Sequence, residues 1–81
     1  MSRWEKLIAD ILAKNPNLRF EDLSKALIRL GYLPIQPKGG SSHYTFRKRG
    51  SMPITIPKQV PLKSVYIELV AAAIQKDLEG K

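Results

Sequence analysis

At 81 residues the chain has room for one small domain and no second core. It has no cysteine and a single histidine, which excludes a disulfide framework and any thiolate or histidine-only zinc site, so no metal or other cofactor is expected. Its longest apolar run, residues 69–74, is far short of the roughly 20 residues that span a bilayer, and no apolar segment follows the basic start, so the expectation is a cytoplasmic protein with no membrane contact.

The formal charge of +7 is concentrated in one part of the chain. Residues 1–22 are balanced, and residues 68–81 carry a net −1. Between Leu23 and Ile67 there is no acidic residue, while eight lysines and arginines contribute +8. Such a field concentrates polyanions, and nucleic acid is the commonest one that a small basic domain meets.

In chain order, Trp4, Leu7, Ile8, Ile11 and Leu12 keep helical spacing behind a capping-box pair, Ser2 and Glu5, and predict a helix from about Arg3 to Lys14. Leu23, Ala26, Leu27 and Leu30, led by the acidic pair Glu21 and Asp22, predict a second helix near Phe20 to Leu30, with Gly31 as its left-handed stop. Three short strands follow. Tyr32 to Gln36 alternates but contains Pro34, which cannot donate to a ladder and so marks an edge or a break. His43 to Arg47 places Tyr44 and Phe46 on one face and His43, Thr45 and Arg47 on the other. Arg49-Gly50-Ser51 reads as a hairpin turn, and Ile54-Thr55-Ile56 as a third strand stopped by Pro57. A third helix that begins after Pro61, with the stripe Val65, Tyr66, Leu69, Val70 and Ala73, and ends near Leu78 or Glu79 completes the order ααβββα. The fold class is therefore α+β, an antiparallel three-stranded sheet with helices on one face. The other face, with His43, Thr45, Arg47 and Thr55 and with Tyr32 and Gln36 as further candidates, is open to a partner.

Charge and candidate chemistry coincide on that face. RNA carries its own nucleophile, the 2′-hydroxyl, so its cleavage needs a proton acceptor and groups that stabilise the phosphate, and requires no metal. His43 is the one side chain whose ordinary titration falls near neutrality. Gly39-Gly40-Ser41-Ser42 before it offers backbone N–H groups and hydroxyls where the chain can approach a phosphate, and Lys38, Arg47 and Lys48 are candidate phosphate contacts. The same residues suit a non-catalytic RNA-binding module that reads shape and phosphates. Direct DNA binding ranks last, because no recognition helix is evident.

Phe20-Glu21-Asp22-Leu23, Leu30-Gly31-Tyr32, Gly39-Gly40-Ser41-Ser42-His43-Tyr44-Thr45-Phe46-Arg47, Ile54-Thr55-Ile56-Pro57 and Val65-Tyr66, in this order, resemble the HicA family of bacterial toxins over roughly residues 18–76. The resemblance implies a fold similar to a double-stranded RNA-binding domain, αβββα, with residues 1–17 as an N-terminal helical extension beyond the family pattern. The simplest role for that helix is to add core through Trp4 and Leu12, and the alternative is support of an antitoxin interface. It also implies the activity of an mRNA interferase, the toxic half of a type II toxin–antitoxin pair. The partners it implies are mRNA and a HicB-type antitoxin, with DNA engaged only through the toxin–antitoxin complex. In that family a glycine, a serine and a histidine open the second strand and the histidine is catalytic. Aligned on Phe46, the catalytic role falls on His43 and the motif serine on Ser42; Gly40, Ser41 and Ser42 would line the RNA. This sequence departs from the pattern at Ser41, its glycines standing at 39 and 40.

Overall fold

A computed structural model describes residues 2–36, 39 and 42–80. Helix α1 runs Arg3–Leu12, α2 Phe20–Arg29 and α3 Ser64–Glu79; strands β1, β2 and β3 are Leu33–Ile35, His43–Arg47 and Ile54–Pro57. The order is ααβββα, and the strands form one antiparallel sheet ordered β1-β2-β3. No helix among the described residues is long and apolar enough to cross a membrane.

Local chemistry explains the helix ends. The Ser2 hydroxyl accepts the Glu5 N–H at 3.1 Å while the Glu5 carboxylate accepts the Ser2 N–H at 3.2 Å, the expected reciprocal cap of α1. α1 stops short of Lys14 because Lys14 takes a left-handed φ of 56°. Its N–H donates to Ile11 O, and the Asn15 N–H donates to Asp10 O, which together make a Schellman stop. α2 ends the same way on Gly31, at φ 103°, with the N–H groups of Gly31 and Tyr32 donating to Ile28 O and Leu27 O. At its start the Asp22 carboxylate accepts the Arg19 N–H at 2.9 Å. The hairpin turn is Lys48–Ser51, closed by Ser51 N–H to Lys48 O, with Gly50 at φ 80°.

One core joins the elements. Phe46 and Ile56, on the helix-facing side of the sheet, are fully buried with Ile11, Leu23, Leu27, Val70 and Ile74. Phe20 of α2 stacks at a tilt on Tyr44 and Phe46, ring centroids 5.0 and 6.2 Å away. α2 lies over β1, α3 over β3, and α1 packs across both helices. The deepest side chain of α1 is Ile11; Trp4 and Leu12 pack on the core's border and remain partly exposed.

Candidate functional site

β2 is the central strand, and its alternation divides the chemistry between two faces. Tyr44 and Phe46 turn to the helices, and His43, Thr45 and Arg47 turn to the open face. Across from them, Thr55 opposes Thr45 and the two hydroxyls lie 3.1 Å apart, which pins the register of β2 and β3 on the open side. Pro57, the last residue of β3 rather than a stop before it, opposes His43 and is fully buried. One residue further the Lys58 N–H donates to Ser42 O at 2.7 Å. The backbone on both sides of His43 is therefore held by β3, which fixes where its exposed imidazole emerges.

The expected assignment of β1 is reversed. Tyr32 was a candidate for the open face but is buried at 6% exposure on the helix side, whereas Leu33 and Ile35 are exposed at 71% and 46%. Pro34 explains this. Lacking an N–H, it occupies a position whose nitrogen faces the outer edge, so Leu33 and Ile35 make the ladder to β2. They stand opposite Arg47 and Thr45 and share their face. Gln36, just past the strand, is exposed. The open face thus combines two apolar side chains, a threonine pair, an arginine and the histidine.

The predicted phosphate contacts do not gather at one point. Arg47 is on the same face as His43 but four residues along β2, about 13 Å away at the rise of a strand. Lys48 is on the other side: its ammonium lies 5.6 Å from the centre of the Tyr32 ring and 3.7 Å from the Asp77 carboxylate of α3. Strand parity carries position 48 to the helix side, and the turn beginning there keeps it beside α3, away from His43. Ser42 adjoins His43 and is exposed. Lys38, Gly40 and Ser41 lie outside the described residues; Gly39 has φ 61°. Sequence reasoning missed Leu33 and Ile35, whose placement was encoded in the position of Pro34.

Among the described residues no three His, Cys, Asp or Glu side chains are grouped to hold a metal ion. What the fold and this face define is a small α+β domain that presents an exposed histidine and an exposed arginine on the sheet face turned away from the helices. Compared with known proteins, the chain matches no family model, no curated protein and no solved structure.

Proposed function

We propose that the protein is a HicA-like endoribonuclease toxin of the cytoplasm, which cleaves mRNA without a metal and is neutralised by a HicB-type antitoxin. The observation that carries the reading is the position of His43. It opens the central strand on the face turned away from the helices, its backbone is tied to β3 and to Lys58 just after it, and it stands in the acid-free segment that holds the whole charge excess. His43 acts as general base or acid on the 2′-hydroxyl and leaving oxygen, and Arg47 meets the RNA backbone along the same face. Exposed Leu33 and Ile35 beside Arg47 suit a protein partner that covers this face, because they give its apolar groups somewhere to dry out next to a cation.

The test is cleavage of a labelled mRNA in EDTA by wild type and His43→Ala, with both checked for folding by circular dichroism. Wild type cuts, and the variant, altered at an exposed position, folds normally and loses at least a hundredfold in rate, in keeping with the 10² to 10⁴ that acid–base groups contribute. Equal cutting by both would refute the assignment. One observation favours a second reading, a non-catalytic RNA-binding module: apart from His43, the described open-face residues Leu33, Ile35, Thr45, Arg47 and Thr55 include no group suited to proton transfer near neutrality. RNA bound but left intact by folded wild type would establish that reading.

A further inference from the structure

On the opposite side of the domain, α1 and α2 flank an open groove of about 550 Å³, within the size range of ligand-binding clefts. Its floor is Trp4, Leu7 and Ile28, the last exposed at 50%. Its rim is Arg3 from the first turn of α1 and Lys25 and Arg29, one turn apart on α2, all three exposed. The Arg29 guanidinium lies over the indole of Trp4, 4.8 Å from its centroid. The acid at this rim is Asp22, whose carboxylate is engaged by the Arg19 N–H. Among the described residues Arg3 and Lys25 have no acidic partner at ion-pair distance. Arg3 also stands where the helix dipole disfavours a cation, so helix stability does not account for it.

A cationic rim over an aromatic and apolar floor is the composition of a cleft for single-stranded nucleic acid, phosphates along the rim and base faces on the floor. We propose that the α1–α2 groove is a second contact surface for single-stranded RNA, across the domain from His43. The choice of RNA over DNA rests on the ribonuclease reading above. α2, which carries Lys25 and Arg29, packs against β1, the edge strand of the sheet that bears His43. The site extends the RNA footprint to segments remote from the cut.

Trp4 is the sole tryptophan and lines both this groove and the neighbouring one, so its fluorescence reports binding here and the double variants assign the response to this groove. The probe is a 12-nucleotide single-stranded 2′-O-methyl RNA, which cannot be cut because its nucleophile is blocked. Titration into wild type gives a saturable change in Trp4 emission. Arg3→Gln/Lys25→Gln, which alters no buried residue, lowers the salt dependence of that binding by about 1.4 log units, two contacts at ~0.7 each. Lys14→Gln/Lys76→Gln, with the same loss of charge outside the groove, leaves the dissociation constant within twofold. No Trp4 response, or equal losses in the two double variants, overturns the proposal. So does polyglutamate that produces the Trp4 change and displaces the RNA at equal charge concentration, which would assign the groove to an acidic protein segment. The cleavage assay is scored separately. Protein that binds at Trp4 but cuts nothing retains the groove and loses the ribonuclease, while His43-dependent cutting with a silent Trp4 does the reverse.

Discussion

Two residues end their helices in the left-handed region, and they differ in whether their chemistry suits it. Gly31 at φ 103° has no Cβ to strain, whereas Lys14 at φ 56° has one. Lys14→Gly should therefore raise stability by about 0.5–1 kcal/mol, and Gly31→Ala should lower it by more than about 1 kcal/mol. Urea denaturation of the two variants checks this pair of opposite signs. A Gly31→Ala variant as stable as wild type would mean that the turn after α2 adopts another geometry. The stop at Gly31 was legible because glycine after an apolar stripe is a direct signal. That near Lys14 was legible only from Pro16 beyond it, since lysine itself favours continuing a helix; the left-handed turn at Lys14 satisfies the carbonyls of Asp10 and Ile11.

At the level of elements, β2 could be read almost without loss, since Tyr44 and Phe46 alternate with polar residues over its whole length and only one face can enter the core. β1 could not. Its apolar residues Leu33 and Ile35 suggested the inner face, but the strand has three residues, and what set its orientation was the missing N–H of Pro34 and the burial of Tyr32 beneath Lys48. The same parity separates two neighbours that the sequence grouped as phosphate contacts. Arg47→Gln should weaken RNA binding and reduce its salt dependence by about 0.7 log unit. Lys48→Gln should leave RNA binding unchanged and cost up to about 1 kcal/mol through its half-exposed link to Asp77. Gel shifts over a salt series, with thermal melts alongside, separate the two; equal losses of RNA affinity would place Lys48 back on the nucleic-acid surface.

At the scale of the whole molecule, α1 is part of the single core. Ile11 is fully buried in the cluster that contains Phe46 and Ile56, so Ile11→Ala should destabilise the domain by about 2–5 kcal/mol, a large share of what a domain this small possesses. A loss below about 1 kcal/mol on urea unfolding would instead make α1 an appendage. The overall layout was accessible to sequence reasoning because helical stripes, turn glycines and strand alternation all agreed on it. The composition of the sheet face turned away from the helices depended on long-range register, Thr45 against Thr55 and His43 against Pro57, which no local pattern specifies. Pro34 has one further effect. A lone sheet with a bare, apolar margin is ordinarily a template on which other chains polymerise, and a chain this rich in unpaired apolar groups along one strand would be prone to fibre growth. The imide nitrogen removes a donor from the middle of that three-residue margin, so the next copy finds no continuous row to copy. Leu33 and Ile35 can thus stay exposed on this sheet while its β1 edge is a poor template for a further strand.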